Sequence, residues 1–573
     1  MRRIFSKEFW NAKKILVLVL IAAGLAVYAN TFVNQMFWDD EDFVLNNVYV
    51  QNFSFGKFFS ENTIAGAGLV SDYWRPVLSL VFSIQYQLWG PAPYGYHVIN
   101  AAFHVSAGVV LYFFLRRLFK NGPLAFFTAL FFLVHPLQTE AVSYVSSLGD
   151  SLSVFMIFAG LWKYLSFKDS GRIMDYALSI IFYIIALLSK ETAIIMPGLI
   201  FLLDFFHESS RNKTFYERLK PALKNSIGFL AVAGIYILLR ATALNFQNTF
   251  NLYNEETEFT KSLWIRILTF FRILAVYLGL LFVPVGLHIE RSVEVAKTLS
   301  APDVLLGMIT FIALIGMAVY FWKKRPPVSF GILWFFIALS ITSNIIVPIN
   351  GLLYEHWLYL PMVGIFLALA EAARRLLRKF GGRNLAVGLL AVILVVFGVL
   401  SIKRNRDWRD AITFYNQTLR YAPESYRVTN NLAKAYAEAG ERDSAEKFYL
   451  RAINIDPKAA VAYHNLANTY RDSGRTEEAI DMYKKAIAAD PDFAFSYNAL
   501  VGLYAKNKNY EEARELVETL PQNISTLALL ARLAREQEDY AGAEEYIKRA
   551  LELEPGNLSI QNALLQIRQR QEQ

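Results

Sequence analysis

A short aromatic segment near the start of the chain carries four carboxylates. Residues 37–43 read Phe-Trp-Asp-Asp-Glu-Asp-Phe and follow the first apolar stretch. A carboxylate beside a membrane can take the proton from an attacking hydroxyl, so Asp39 and Asp40 are candidate catalytic residues. Hard oxygen ligands suit Mg²⁺ or Mn²⁺, and Glu140 could complete a cation site with the two aspartates. The alternative is that the pair is merely solvated, as adjacent aspartates in loops usually are.

Further charged groups lie at the ends of later apolar stretches, where they are rare unless they face a cavity or a partner. Separate helices would thus deliver acids, bases and cations to one rim of the membrane. The candidates for contacts to a phosphate or a substrate are Arg75, His135, Glu140, Lys190, Glu191, Arg240, Glu290, Arg291, Glu355 and His356.

This set of groups suits the transfer of a sugar from a lipid phosphate to a hydroxyl. The hydroxyl needs a general base, for which Asp39 or Asp40 is available. The departing phosphate needs cations, and arginine can bind it with two parallel hydrogen bonds. Arg75, Lys190 or Arg240 fits that second role.

Several of these residues also have a purely structural interpretation. Lys190 and Glu191 could form an ordinary ion pair at a helix end. His135 precedes Pro136 and could simply cap a short helix. Asp150 is expected to pair structurally within the bundle. Only the combination of all the groups favours a functional site.

Composition separates the chain into an apolar, basic part and a polar, slightly acidic part. The 573 residues are 55% hydrophobic and include no cysteine, which excludes disulfides and thiolate metal sites. Before residue 405 there are 35 Lys and Arg against 23 Asp and Glu, and from residue 405 onward 22 against 26. A basic excess between apolar stretches is typical of cytoplasmic loops in a membrane protein, so we expect no nucleic-acid partner.

The first apolar stretch, residues 15–33, follows five basic residues. We predict that it is an uncleaved span, with a cleaved signal peptide as the alternative. Its N-terminus is then cytoplasmic, which places Asp39 and Asp40 outside. Pro76–Trp89 is too short to cross about 30 Å of hydrocarbon, so we predict an interfacial helix there.

Eleven more apolar stretches give twelve candidate spans in all. They lie near residues 94–118, 123–138, 141–165, 173–190, 193–206, 225–243, 267–285, 303–322, 328–347, 356–371 and 384–402. Five basic clusters lie at residues 116–120, 163–172, 211–224, 323–325 and 374–383. All five face the cytoplasm only if 267–285 does not cross. We therefore predict that this segment is re-entrant or interfacial and that about eleven spans remain, with the C-terminal region outside.

A repeat of 34 residues begins at residue 411. Small residues, prolines and glycines recur at that spacing: Ala411, Ala445, Ala479 and Ala513; Pro423, Pro457 and Pro491; Gly440 and Gly474. This period with these residues is typical of tetratricopeptide repeats, whose stacked hairpins form a concave surface that generally binds peptides. The alternative is a structural cap or a dimerisation arm. We predict a transmembrane domain at 1–404 and a repeat domain at 405–573.

An ordered set of motifs resembles a known family. The set comprises Trp38-Asp39-Asp40, Tyr73-Trp74-Arg75-Pro76, Trp89-Gly90 with Tyr94-Gly95-Tyr96-His97, His135-Pro136 with Thr139-Glu140, Leu188-Ser189-Lys190-Glu191 and Leu358-Tyr359-Leu360-Pro361. In this order they resemble the transmembrane and tetratricopeptide-repeat-containing O-mannosyltransferases and their prokaryotic relatives, which are glycosyltransferases of the GT-C class.

The resemblance implies an all-α protein in which a GT-C membrane helix bundle precedes a repeat solenoid. It also implies a glycosyltransferase that uses a polyprenyl-phosphate-linked sugar, with Asp39 and Asp40 as the catalytic pair. The remaining matched residues, including Tyr359, become candidates for donor and acceptor contacts. The acceptor would be a protein Ser or Thr hydroxyl, or a glycan, outside the cytoplasm, and it could dock in the repeat groove.

This interpretation places the protein in a bacterial or archaeal cell membrane, or in the endoplasmic reticulum membrane of a eukaryote. One alternative is a non-enzymatic membrane-anchored scaffold whose repeats assemble an envelope complex. Another is a transporter or flippase, for which inverted repeats would be expected. The sequence leaves open which sugar and which acceptor are used.

Overall fold

The computed structural model describes residues 13–207, 214–242, 244, 257–349, 351–379, 383–521 and 523–571. These residues form helices, turns and loops, with no β-strand among them. The chain separates into two compact units that divide after Gln417. The predicted all-α architecture is confirmed. The predicted domain boundary after residue 404 falls inside a helix, because the last apolar helix continues to Asp407.

The first unit is a bundle of apolar helices joined by short turns and one long loop. Its α-helices are α1 (Lys13–Tyr28), α2 (Val48–Gln51), α3 (Phe55–Ser60), α4 (Pro76–Trp89), α5 (Pro93–Phe119), α6 (Gly122–Val134), α7 (Thr139–Ser143), α8 (Leu148–Ser170), α9 (Ile173–Ser189), α10 (Met196–Phe206), α11 (Phe215–Ala241), α12 (Glu258–Lys261), α13 (Leu263–Phe282), α14 (Pro302–Phe321), α15 (Pro326–Leu339), α16 (Met362–Lys379) and α17 (Arg383–Asp407). The short helix predicted at Pro76–Trp89 is confirmed. It begins with proline in its first turn, where the missing N–H costs nothing.

Seven helices of the described residues are long and apolar enough to cross a membrane. They are Lys13–Val33, Pro93–Phe119, Val145–Ser170, Phe215–Ala241, Leu263–Phe282, Pro302–Phe321 and Gly388–Asp407. A bent pair, Gly122–Val134 with Pro136–Ser143, would make an eighth, while Ile173–Ser189 and Pro326–Thr342 are apolar but shorter. The apolar helices indicate a membrane protein, and the number of eleven spans stays a prediction.

The segment predicted to be re-entrant or interfacial is one unbroken helix, α13, of 20 residues. The prediction of a re-entrant loop is therefore wrong, because the chain leaves the helix only at Val283, just before Pro284. The interfacial alternative stays a prediction. Arg272, within α13, pairs with Asp303 at the start of α14 at 2.6 Å, which explains a basic residue inside this apolar segment.

The long loop after α1 is docked on the helices by its own apolar core. Phe43, Val44, Val50 and Phe58 of the loop are buried in one cluster with Leu78 and Phe82 of α4, Tyr96 of α5, and Val145 and Leu148 at the start of α8. Burial of such side chains stabilises a fold by roughly 1.5–3 kcal/mol each. The loop that carries the aspartates therefore has a fixed position on the bundle.

The second unit consists of paired helices of 9 to 14 residues. α18 (Ala411–Leu419) lies at the division between the units, and α19 (Tyr426–Glu438), α20 (Arg442–Ile455), α21 (Ala460–Asp472), α22 (Thr476–Ala489), α23 (Ala494–Lys506), α24 (Tyr510–Glu518), α25 (Ile524–Glu536), α26 (Tyr540–Leu553) and α27 (Leu558–Gln571) follow. The repeated leucines Leu432, Leu466 and Leu500 are fully buried. Gly440 and Gly474 have φ values of +79° and +76°, as expected of glycines that end the first helix of each repeat.

Two helices of the first unit approach each other through glycine. A Cβ added at Gly331 of α15 would lie closer than 3.0 Å to the carbonyl oxygen of Gly364 in α16, and the reverse is also true. Since the obstacle is backbone on both sides, neither residue can give way by changing a rotamer. The close crossing therefore depends on both glycines.

We predict that Gly364→Ala lowers the melting temperature of the detergent-purified protein. Separating the two backbones should cost about 1–3 kcal/mol, the usual range for an overpacked interior. Gly316→Ala in α14 is the matched control, because nothing lies within 4 Å of its added Cβ. Equal melting temperatures for Gly364→Ala and Gly316→Ala would contradict the close crossing.

Candidate active site

Asp39 and Asp40 of residues 37–43, here called the aspartate loop, lie in different environments. Asp40 is 1% exposed. Its Oδ1 accepts hydrogen bonds from the backbone N–H of Ser146 at 2.7 Å and from the Ser146 hydroxyl, and its Oδ2 accepts one from the N–H of Phe37 at 3.3 Å. Asp39 is half-buried, and its backbone N–H donates to the Tyr144 hydroxyl at 3.0 Å. Asp40 thus anchors the loop, and Asp39 is the more accessible of the pair.

The position of Asp40 follows from the local helix geometry. Ser146 lies in a single turn just before α8, and the first N–H groups of a helix have no partner within it. These N–H groups and the helix dipole favour a carboxylate. Burial nevertheless raises the pKa of Asp40 to about 7, against the hydrogen bonds from Ser146 and Phe37, which lower it.

Aromatic rings pack around the aspartate loop. Trp38 has a φ of 60°, which is unusual for a bulky residue and costs roughly 1–3 kcal/mol. Its ring is 6.1 Å from the ring of Tyr144 and 5.9 Å from that of Phe414. Tyr144 in turn stacks on Trp408 at 5.1 Å. These contacts hold the strained turn that presents Asp39.

Residues 139–150, here called the linking segment, contact three groups of charged residues. Tyr144 and Ser146 hold the aspartate loop. Glu140 pairs with His356, and Asp150 pairs with Lys190 at 2.6 Å. A 56° bend in the chain precedes the segment. The bend arises because a residue that precedes a proline, here the one before Pro136, disfavours the helical conformation. The bend turns these side chains toward their partners.

The group around Asp150, here called the Arg75 cluster, contains two ion pairs. Nε and Nη2 of Arg75 donate to Glu191 at 2.9 and 2.6 Å, and the guanidinium lies 4.4 Å from the ring centre of Tyr73. Lys190 pairs with Asp150 and not with its neighbour Glu191. The alternative interpretation, an ordinary Lys190–Glu191 ion pair, is therefore wrong. The physical reason is the extended backbone of Lys190, with φ −158° and ψ 132°, which points consecutive side chains to opposite sides.

Arg240 lies beside the Arg75 cluster. It is 4% exposed, and it donates to the Tyr236 hydroxyl at 3.3 Å and to the carbonyl oxygen of Asp72. Tyr236 stacks on Trp74 at 5.7 Å. The predicted cations Arg75, Lys190 and Arg240 are thus brought to one region, where Arg75 and Lys190 are each paired with a carboxylate.

The group around Glu140, here called the glutamate cluster, lies at the other end of the linking segment. His356 Nδ1 is 2.6 Å from Glu140, and its backbone N–H donates to the same carboxylate at 3.0 Å. Glu355 accepts from the N–H of His288 at 2.8 Å and pairs with Arg291 at 3.3 Å. Burial raises the pKa of Glu355 to about 7, although Arg291 and a second arginine lower it.

That second arginine is Arg404, a residue that the sequence interpretation missed. It is 5% exposed, its Nη1 donates to Asp407 at 3.1 Å, and its Nη2 is 4.0 Å from Glu355. Its Nε and Nη2 have no hydrogen-bond partner among the described residues. The guanidinium also lies 5.8 Å from the ring centre of Trp408, which stacks on Tyr144.

The remaining predicted site residues have other surroundings. His135 is fully buried, and its Nε2 is 3.1 Å from the carbonyl oxygen of Leu281. It ends α6 and caps the next short turn, which agrees with the structural alternative. The hydroxyl of Tyr359 is 2.6 Å from Nδ1 of His104 inside the bundle. Glu290 is half-buried in the loop after α13.

The proposed cation ligands do not form one group. Among the residues that the structure describes, no set of three or more His, Asp or Glu side chains could hold a metal ion. Asp39, Asp40 and Glu140 are therefore not brought together as ligands, since Asp40 is held by Ser146 and Glu140 by His356. A divalent cation stays a prediction from the sequence, and no chemical step is assigned to it.

Comparison with known proteins identifies the repeats and a set of relatives. Residues 424–492, 470–533 and 524–557 match family models described as tetratricopeptide repeat. The chain is 25% identical over 442 residues to protein O-mannosyl-transferase F38B6.6 of Caenorhabditis elegans, covering 75% of this chain and 61% of that protein. It is 23% identical over 469 residues to protein O-mannosyl-transferase TMTC3 of Mus musculus, covering 76% and 50%.

A human relative gives the same result. The chain is 24% identical over 486 residues to protein O-mannosyl-transferase TMTC4 of Homo sapiens, covering 75% of this chain and 65% of that protein. This chain therefore spans between half and two thirds of the length of these relatives. The resemblance predicted from the motifs is confirmed. Among solved structures, the crystal structure of MamA protein covers 25% of this chain with a TM-score of 0.22.

The raised pKa of Asp40 predicts a pH-dependent contribution to stability. The folded protein binds this proton more tightly than the unfolded chain, so the contribution is complete below about pH 4 and is lost as the pH rises through about 7. The melting temperature of the wild type relative to Asp40→Asn should therefore fall between pH 5 and pH 8.

Asp72→Asn, farther along the segment between α1 and α4, is the control for this measurement. Its melting temperature should follow that of the wild type across the same pH range. A wild-type advantage over Asp40→Asn that grows with rising pH would show that Asp40 is instead stabilised as the charged form.

Proposed function

We propose that this chain is an integral-membrane glycosyltransferase that moves a sugar from a polyprenyl-phosphate-linked donor to a hydroxyl outside the cytoplasm. The relatives are protein O-mannosyl-transferases by name, and mannose is accordingly the first sugar to test. The observation that supports the proposal most is the linking segment, which holds an accessible aspartate between two groups of buried cations.

Asp39 is the general base in this proposal. A base must come within about 3 Å of the proton that it removes. Both oxygens of Asp40 already accept hydrogen bonds inside the protein, so Asp40 positions the loop and does not face the acceptor. Asp39, half-buried on the same loop, can meet a hydroxyl without breaking that anchor.

The reaction then proceeds in one displacement at the anomeric carbon. The acceptor hydroxyl oxygen forms the new bond to that carbon while its proton passes to the Asp39 carboxylate. The bond from the anomeric carbon to the phosphate oxygen breaks, and its electron pair leaves with the polyprenyl phosphate. Attack from the opposite face inverts the configuration of the sugar, as the GT-C resemblance implies.

Arg404 is the best-placed cation for the departing phosphate. Its Nη1 pairs with Asp407, but its buried Nε and Nη2 have no hydrogen-bond partner among the residues that the structure describes, and such groups are rare unless a ligand satisfies them. Arg75 and Lys190 are already paired with carboxylates, so a phosphate would have to share or replace those partners. Trp408 and Tyr144 connect Arg404 to the aspartate loop by stacked rings.

The repeats are proposed to hold the acceptor. Tetratricopeptide repeats commonly bind an extended or helical peptide in their concave groove, and residues 424–557 match such repeats. A protein acceptor therefore suits the second unit better than a free glycan does. The repeats and the aspartate loop lie on the same side of the membrane in the predicted topology.

The first test compares Asp39→Asn with Asp42→Asn, which changes another half-buried carboxylate of the same loop. With polyprenyl-phosphate mannose and a Ser- and Thr-rich peptide, Asp39→Asn should lower the turnover number about 10²- to 10⁴-fold, the usual contribution of a general base. Its melting temperature should equal that of the wild type. Undiminished turnover in Asp39→Asn would contradict the role of Asp39, and transfer that is absent from the wild type with every lipid-linked sugar tried would contradict the enzyme.

The second test compares Arg404→Gln with Arg406→Gln, which removes an exposed arginine two residues away. Arg404→Gln should lower turnover about a hundredfold, because a fixed cation at the leaving group stabilises the transition state. Arg406→Gln should retain the wild-type rate. Equal rates for the two variants would assign the phosphate to another cation.

A further inference from the structure

An apolar groove runs along the outside of the bundle, away from the aspartate loop. It has a volume of about 810 Å³ and lies between α6, α13, α16 and α17. That volume is within the range of roughly 300–1,000 Å³ that ligand sites occupy. Among the residues that the structure describes, the charged ones that line it are Arg325 and Arg375. Several of its lining side chains, such as Val392 and Val396, are exposed, so the groove opens toward the lipid.

The groove has two chemically different ends. At one end the rings of Phe131, Phe366 and Phe397 close it, with Phe131 stacked on Phe366 at 5.2 Å and Phe397 at 6.2 Å from Phe131. The other end lies near the C-terminal end of α16 and the start of α15. Arg375 and Arg325 lie there. The aromatic end separates the groove from Arg404, which follows Phe397 by seven residues on α17, or about 10 Å along the helix.

The length of the groove matches one leaflet of a bilayer. On α16 its lining residues extend from Phe366 to Arg375, nine steps of about 1.5 Å along the helix, or about 14 Å. The hydrocarbon core of a bilayer is about 30 Å thick. A lipid chain that starts at the arginine end therefore reaches the aromatic end near the middle of the membrane.

The arginine end is electropositive. Glu371 is the carboxylate nearest to it, and both Arg374 and Arg375 pair with Glu371, which leaves one positive charge on these three residues. Arg325 lies 4.7 Å from the ring centre of Phe321, and no carboxylate of the described residues forms an ion pair with it.

We propose that this groove binds an anionic phospholipid of the leaflet on the arginine side, which the predicted topology identifies as the cytoplasmic one. The phosphodiester headgroup lies between Arg325 and Arg375, and an acyl chain fills the groove as far as Phe131 and Phe366. The sugar donor is a different lipid, because the cations proposed for its phosphate lie beyond the aromatic end. This site therefore stands independently of the proposed transfer reaction.

Native mass spectrometry of the full chain, released from membranes of phosphatidylglycerol and phosphatidylcholine, tests the site. The wild type should retain one phosphatidylglycerol in preference to phosphatidylcholine. A basic residue near a membrane surface contributes about 1 kcal/mol of attraction to anionic lipid, or about a fivefold preference. The double variant R325Q/R375Q should thus reduce the preference about 25-fold, while the control K323Q/K324Q, outside the groove, should retain most of it.

A second variant tests the chain-binding part of the groove without changing charge. Ala373→Phe, on the groove wall, should lower the retention of both lipids while its melting temperature shows that the protein is folded. Excess inorganic phosphate should displace neither lipid. Equal lipid preference in the wild type and R325Q/R375Q, an equal loss in K323Q/K324Q, or displacement of the lipid by phosphate alone would overturn the proposal.

Discussion

The hydrogen bonds from Ser146 to Asp40 are the contact on which the arrangement of the candidate site depends. A buried carboxylate is costly unless donors surround it, and Asp40 finds them at the start of α8 and in the backbone of its own loop. This contact ties the loop after α1 to the linking segment. The same loop holds the strained turn at Trp38 and the half-buried Asp39.

The same linking segment distributes charge to both sides of the loop. Glu140 and Asp150 are ten residues apart, and each holds a cationic or titratable partner from a distant part of the chain. Most buried charges in these groups are compensated, as expected in a low-dielectric region. Arg404 pairs with Asp407 and lies 4.0 Å from Glu355, yet its Nε and Nη2 lack hydrogen-bond acceptors among the described residues. An incoming phosphate could accept hydrogen bonds from these two atoms.

Local pattern was sufficient to predict much of the fold. The 34-residue period placed the repeat helices, and the proline at residue 76 placed the start of α4, because both signals act over a few residues. Tertiary contacts decided what the sequence interpretation missed. Lys190 pairs with Asp150, forty residues away, in place of Glu191. Arg404 resembled an ordinary basic flank of the last apolar stretch, and only its burial beside Glu355 distinguishes it from Arg406. Charge counting likewise gave no information on whether residues 267–285 form one continuous helix.

An experimental structure of the full chain with an unreactive polyprenyl-phosphate sugar and an acceptor peptide would test the central claim most directly. The account predicts an Asp39 carboxylate oxygen about 3 Å from the acceptor hydroxyl, with Asp40 still accepting hydrogen bonds from Ser146 and Arg404 in contact with the donor phosphate. A sugar bound where neither Asp39 nor Arg404 can reach it, or an Asp39 side chain that faces bulk solvent in the complex, would contradict the account.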